Sequence, residues 1–293
     1  MNTFMNRLLS TAAMSIAVTA FAGAAAAAAF TRIASDAHGN PTALQLAIVK
    51  YGAVSGNDEL AVDLISAIHI GDSSYYENLN DRFDAYDVVL YELVIRDETE
   101  TTPNNPNPMN MLSASQVFLK NLLGLAFQLD EIDYSAPNFV HADMTAAMLG
   151  DSMADRGESL YVYAWRTFLV ALDEYAKDPL GLRDLRVLGR MVAHRQNNGL
   201  KTAIAYEMAD ERNMRDYLGG EQGSALIAAR NARAMQILQE QIDAGARRIG
   251  IFYGVAHMPD FEQRLADELS LVRQQTDWIN AWQLDEKDGA ETR

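Results

Sequence analysis

The chain contains no cysteine. That absence rules out disulfides, thiolate metal sites and a cysteine nucleophile, and with them lipid attachment through a cysteine. A G-x-S-x-G elbow is also missing, and Ser224 in Gly223-Ser-Ala has no histidine placed beside it by sequence, so a serine triad finds no support. Neither a Walker loop nor G-x-G-x-x-G occurs, which leaves nucleotide cofactors without a binding signature. The compact zinc motif H-E-x-x-H is absent as well. Positive charge is scarce: 24 Lys and Arg face 40 Asp and Glu, for a formal net charge of −16. Nucleic acid needs a basic face for its phosphates, and anionic lipid needs the same, so neither partner is expected. No internal repeat with a period of about 20 to 50 residues is present.

What is there is ordinary globular material. The 293 residues are 49% apolar and 22% charged, enough for one large domain with its own core. The N-terminus predicts an export signal over residues 1–29: Arg7 near the start, an apolar run over 8–22, and alanine-rich A-x-A cleavage sites over 24–29. A retained membrane anchor over the same run is the alternative. Cleavage would start the mature protein near Phe30, leave it without a stable membrane span, and place it in a periplasm or outside the cell. Stability would then come from the hydrophobic core alone.

Weak alternation predicts a first strand over 44–51, short runs rich in Val, Ile and Leu predict strands over 60–70 and 88–94, and further strands are expected over 248–257 and near 277–284. A hairpin-type turn joins the first two. Helical spacing predicts a helix through 75–83, capped by Asp72 or Ser73, and another over 260–269 that Pro259 opens. Together they give an α/β fold with a mixed central sheet and helices on both sides. Residues 116–129, 160–175, 182–196, 203–217 and 225–242 carry helical periodicity, and a helical insertion is expected at about 112–217. Residues 96–110, rich in Pro and Asn, read as a surface loop, either a lid or a bland insertion.

Three of the strands close on a group that can bind a metal: His69, Glu92 and His257. In an open α/β sheet the carboxyl ends of parallel strands face the ligand crevice. Histidine and carboxylate ligands suit zinc, manganese, cobalt or iron, and three of them leave a position free for water. Each histidine taken singly is as readily a structural residue. His141 and Asp143 flank one alanine on an extended piece, where both could ligate, but Asp143 is expected to cap a helix over 144–149. Arg230 and Arg233 lie on the long helix, where an arginine could hold a carboxylate or an oxyanion, or lie on a solvated face. His38 and His194 are expected at the surface.

Ala67-Ile-His69 with its following helix, and Val89-Leu-Tyr-Glu92-Leu, resemble the first half of the TraB/PrgY/GumN family, which includes the TIKI metalloproteases. The family's G-x-x-H, strand-ending Glu, Arg-Asn helix motif and second G-x-x-H are similar, in that order, to Ser66-Ala-Ile-His69, Glu92, Arg230-Asn231 and Gly254-Val-Ala-His257. Ser66 stands where glycine is usual. The likeness covers residues 44–95 and about 225–270.

That resemblance implies a metal-dependent hydrolase acting on a peptide or small-molecule substrate at peptide or amide bonds. His69, Glu92 and His257 would be its ligands, with manganese or cobalt as metal and zinc as a further candidate. Arg230 would orient substrate or oxyanion, and Glu92 would ligate or act as general base. Haem-binding ChaN proteins and erythromycin esterase-like enzymes share the general fold. A periplasmic haem- or metal-binding protein is therefore the rival expectation, with a histidine or one of Tyr75, Tyr76 and Tyr253 as axial ligand. A catalytically inactive scaffold is a third.

Overall fold

A thirteen-residue strand, Pro41–Ala53 (β2), organises the sheet. Its Leu44, Leu46, Ala47, Ile48, Val49 and Tyr51 are all buried, so both faces and both edges need cover. In the computed structural model, which describes residues 29–54, 59–94, 124–156, 199–210 and 225–285, that cover is complete. One edge pairs antiparallel with β9 (Leu271–Gln283) over its whole length. The other edge is divided between β1 (Thr31–Ser35) and β3 (Ala61–Ala67), also antiparallel.

From β3 onward the sheet turns parallel. β3 pairs with β8 (Arg248–Gly254), β8 with β5 (Val88–Tyr91), and β5 with β7 (Phe139–His141). The fold is thus α/β with a mixed sheet, as the periodicity predicts. Helices cover both faces, and consecutive residues of β8 show it. Phe252 meets Phe83 of α1 (Ser73–Phe83) at 5.1 Å between ring centroids. Tyr253, pointing the other way, meets Phe261 of the helix Met258–Leu269 at 5.0 Å.

The remaining described elements fill the connections. Ile70–Gly71 (β4) pairs antiparallel with Ala126–Phe127 (β6) outside the main sheet. Gln128–Glu131 (α2), Ala146–Asp155 (α3) and Gly199–Ala209 (α4) are short helices. The long helix near the C-terminus begins as a π-helical turn, Ala225–Ala229, and continues as α5, Arg230–Asp243. Gly245 ends it with φ +104, a conformation glycine adopts readily. Among the described residues no helix is long and apolar enough to cross a membrane.

Several boundaries differ from the sequence reading. The strand expected over 60–70 stops at Ala67, because residues 68–71 leave the sheet to meet β6. Residues 126–127, expected inside a helix, are strand for the same reason. The last strand starts at Leu271 rather than near 277, since β2 offers it partners along its length despite the polar run Arg273–Gln275. Asp72 does occupy the N-cap of α1 but caps nothing with its side chain. Its carboxylate accepts instead from Lys201 Nζ at 2.8 Å and from the Gln283 N–H. The expected signal over 1–28, the loop 96–110, helices over 160–175 and 182–196 with His194, and most of the helical insertion lie outside the described residues.

One half-buried carboxyl works against the fold. Asp63 on β3 pairs with Gly250, and Tyr86 lies over that glycine and donates to Asp63 Oδ2 at 2.7 Å. Burial raises the Asp63 pKa and outweighs the Tyr86 hydrogen bond, which lowers it. The folded state therefore holds this proton more tightly than the unfolded chain does. The cost of ionising it is absent below the ordinary carboxyl pKa and fully present above the folded one. Asp63→Asn, which keeps an acceptor for Tyr86, should raise the thermal midpoint at pH 7 and lose that margin as the pH falls toward about 4. Equal margins at both pH values would contradict the assignment.

Candidate active site

The parallel strands β3, β8, β5 and β7 carry their carboxyl ends to one side of the sheet, in the register Ala67–Gly254 and Phe252–Tyr91–His141. Glu92 follows β5 directly, and its backbone N–H still bonds to the Phe252 carbonyl. Its carboxylate is held from two directions. Gly254 N–H donates to Oε2 at 2.6 Å, and Arg230 Nη2 donates to Oε1 at 2.7 Å.

Arg230 is itself gripped from behind. Its Nε and Nη2 donate to Asp143 Oδ1 and Oδ2 at 2.8 and 2.5 Å, a bidentate pair with the Asp143 side chain wholly buried. The expectation that Asp143 caps the following helix is therefore corrected. Thr145 is the cap, its hydroxyl accepting from Met148 N–H at 3.2 Å, and Asp143 belongs to the site. Arg230 likewise lies buried between two carboxylates rather than on a solvated helix face. Arg233, in contrast, bonds to exposed Gln236 at 3.4 Å.

The π-helical turn before Arg230 suits this placement, since such turns widen a helix locally and recur at functional sites. Arg230 reaches β5 while its neighbour Asn231 reaches the loop after β8. There His257 closes a one-turn 3-10 segment, Val255–His257, and Met258 starts the next helix with Pro259 in its first turn, as expected. The His257 ring is buried beside Tyr253, centroids 5.2 Å apart. Asn231 Oδ1 accepts from His257 Nδ1, and His257 Nε2 lies 3.6 Å from Glu92 Oε1.

Burial is the largest influence on both groups and resists charge on each. For His257 it prevails over the pull of Glu92 and holds the imidazole below its usual pKa. For Glu92 it is outweighed by His257 when protonated, by the Arg230 guanidinium and by the Gly254 N–H, which hold the carboxyl down at about 2. At neutral pH the pair is a neutral imidazole facing a carboxylate.

His69 and His141 stand apart from this cluster. The His69 side chain is exposed, just beyond the end of β3, yet close enough for its charged form to favour ionised Glu92. Its backbone is fixed by unusual partners. Tyr75 Oη donates to the Ser66 carbonyl at 2.6 Å, Tyr76 Oη to Ile68 at 2.9 Å, Gln128 N–H to His69 at 2.9 Å, and Trp282 Nε1 to Ile70 at 2.8 Å. Carbonyls that leave the sheet are thus all satisfied. His141 ends β7 with Nε2 bonded to the Leu93 carbonyl at 2.6 Å.

The same bonds engage the tyrosines. Tyr253 Oη donates to the Ala142 carbonyl at 2.5 Å, so all three tyrosines expected as alternatives to a histidine haem ligand have their hydroxyl protons in use. Burial raises each of their pKa values, which disfavours the phenolate an axial ligand requires. Among the described residues no group of three or more His, Asp or Glu side chains converges as a metal site. Two of the three expected ligands, Glu92 and His257, do come together.

Sequence reading missed the Asp143–Arg230 pair and the part Asp260 plays behind Asn231. An acidic residue two after a strand-ending histidine was the only signal for the first. For the second it was an acid placed in the first turn of a Pro-opened helix, where the helix dipole already explains it.

The two small residues of the repeated motif behave differently. A Cβ at Gly254 would stand 3.0 Å from Glu92 Oε2, so the carboxylate would have to retreat. Ser66 is level with Tyr253, not with Gly254, and its hydroxyl is buried without a partner among the described residues. Gly254→Ala should lower unfolding free energy by about 1–3 kcal/mol. Ser66→Ala, which removes an unsatisfied hydroxyl, should leave it unchanged or raise it by about 1 kcal/mol. Urea denaturation of both variants checks the pair, and equal effects would refute the distinction. For function the geometry stands alone: comparison with known family models, curated proteins and solved structures finds no match.

Proposed function

We propose that this chain is a metal-dependent hydrolase of peptide or amide bonds, of the TraB/PrgY/GumN kind its motifs resemble, and that it acts outside the cytoplasm after export. The observation that carries the reading is the facing pair at the strand ends. His257 presents Nε2 to Glu92 Oε1 across 3.6 Å, too far for a hydrogen bond. With Nδ1 donating to Asn231, the nitrogen that faces the carboxylate is a lone pair. Two electron-rich atoms held together in a buried place are a donor set that suits a divalent cation.

The charge balance supports the same reading. Glu92 and Asp143 share one guanidinium, which leaves a negative charge uncompensated in the interior. His257 and Glu92 would hold the cation, and the exposed His69, whose charge is felt at Glu92, would be the third ligand. Manganese, cobalt and zinc all accept such ligands. Bound there, the cation supplies Lewis acidity, polarising an amide carbonyl and acidifying water.

The chain's own groups divide the remaining work. Arg230 and the Gly254 N–H occupy both oxygens of Glu92 and favour its ionised form, which makes it a poor proton acceptor, whereas a general base works best with a pKa near the working pH. It serves as ligand. Arg230 orients Glu92 through Nη2 and is anchored by Asp143, so its first role is to position the ligand. Its Nη1, with no partner among the described residues, is the part left to meet a substrate oxygen. A low carboxyl pKa also keeps the ligand ready over the whole physiological range.

Calorimetry of the mature protein with Mn2+, Co2+ and Zn2+ tests this. One cation per chain is expected, with binding lost in Glu92→Ala and His257→Ala and weakened in His69→Ala. Peptide-library turnover should follow the same order. A well-folded wild type that binds none of the three ions, or a His257→Ala variant with full turnover, would sink the proposal.

A further inference from the structure

We infer that Asn231 is a positioning residue that fixes His257 in one tautomer, with the proton on Nδ1, and that Asp260 and Arg264 in turn fix Asn231. A neutral imidazole can carry its proton on either nitrogen, and its neighbours decide which. Coordinates alone do not distinguish the two ends of an amide either. Here the partners do.

Asn231 is completely buried, so water does not compete for its amide. One end of that amide meets two groups, the His257 backbone carbonyl at 3.0 Å and Asp260 Oδ2 at 2.8 Å. A carbonyl can only accept. Asp260 Oδ2 already accepts from Arg264 Nε at 2.6 Å, so that oxygen is an acceptor as well. That end of Asn231 must therefore be the NH2 group. The other end is Oδ1, an acceptor, and it faces His257 Nδ1. Nδ1 must then be the donor, and Nε2 is left with its lone pair toward Glu92.

The chain of constraint continues to the surface. Arg264 reaches the Ala228 carbonyl at 3.3 Å and Glu268 at 3.2 Å. Ala228 lies in the π-helical turn that sets Arg230 and Asn231 in place. One surface arginine thus ties the helix that starts at Met258 to the turn that aims the site residues.

The alternative tautomer would put a proton on Nε2, pointing at Glu92 Oε1. A small approach would close that gap into a hydrogen bond, and the facing pair would become a sealed His–Glu contact. Asn231 therefore keeps the pair open. The tautomer follows from the hydrogen bonds alone, while its consequence for a cation rests on the hydrolase reading above.

The test is nitrogen NMR of imidazole-labelled, metal-free protein at neutral pH, with His257 assigned through His257→Gln. Wild type should show a pyrrole-type Nδ1 and a pyridine-type Nε2. Asn231→Leu should move His257 to the Nε2–H form, and Asn231→Ala carries the same test if leucine prevents folding. Wild-type His257 protonated on Nε2, or an unchanged Nδ1–H form in a folded Asn231 variant, would overturn the inference. Zn2+ titration of the same samples separates the two readings. A drop of about 10–100-fold in affinity in the Asn231 variant is expected, as for other residues that orient a ligating histidine. A wild type with Nδ1–H that binds none of Zn2+, Mn2+ and Co2+ would refute the hydrolase reading and leave the tautomer assignment standing.

Discussion

The buried guanidinium of Arg230 is the interaction on which the strand-end architecture depends. It joins β5 through Glu92, the segment after β7 through Asp143, and the long C-terminal helix through its own backbone. Three elements from distant parts of the chain meet in one ion cluster. Removing one member of such a cluster leaves an uncompensated buried charge, a loss of about 3–5 kcal/mol, whereas the intact cluster contributes little net stability. A core packed only for stability would use apolar residues here. The cluster holds geometry: it fixes a carboxylate in charge and in direction at the mouth of the sheet.

The sheet makes that possible by changing character halfway across. Its antiparallel half, β9, β2 and the β1/β3 pair, is covered by long ladders and contributes apolar core. Its parallel half places four strand ends side by side, where backbone groups run out of sheet partners. Side chains take over. Tyr75, Tyr76 and Trp282 satisfy the carbonyls around His69, and Gly254 N–H is satisfied by Glu92. Groups that in a continuing strand would meet another strand here meet the polar machinery of the site, so the end of the sheet and the site are one piece of structure.

Much of this was legible in the sequence, and the failures share a cause. The apolar runs located β3, β5 and β8, because burial on both faces leaves an unbroken Val, Ile and Leu signature. Pro259 marked the start of its helix, because proline suits a first turn. Residues 68–71 and 126–127 were misread, because a two-residue pair outside the main sheet leaves no periodicity to find. Asp143 was read as a cap because local capping is the usual role of an acid before a helix. Its true partner, Arg230, is 87 residues away. Long-range ion pairs are set by topology, and no single segment records them. His257 and Glu92 come together because one lies just past β8 and the other just past β5 in the parallel half of the sheet, a rule of topology that sequence order does carry, whereas His69, expected with them, stands apart.

The two histidines of the repeated motif end up in unlike states, and the difference follows from register. Gly254 is level with Ala67, so the chain after β8 and the chain after β3 leave the sheet one residue out of step. After β8 a tight 3-10 turn folds His257 back under the long helix, where Asn231 and Tyr253 confine its ring. After β3 the chain runs outward to meet β6, so His69 is exposed while its carbonyl is tied to Gln128. One histidine is thus held by its side chain, while the bond to Gln128 holds the other by its backbone. In the proposed site Glu92 and His257 would be the less exposed pair and His69 the exposed third group, a division that follows from the register alone.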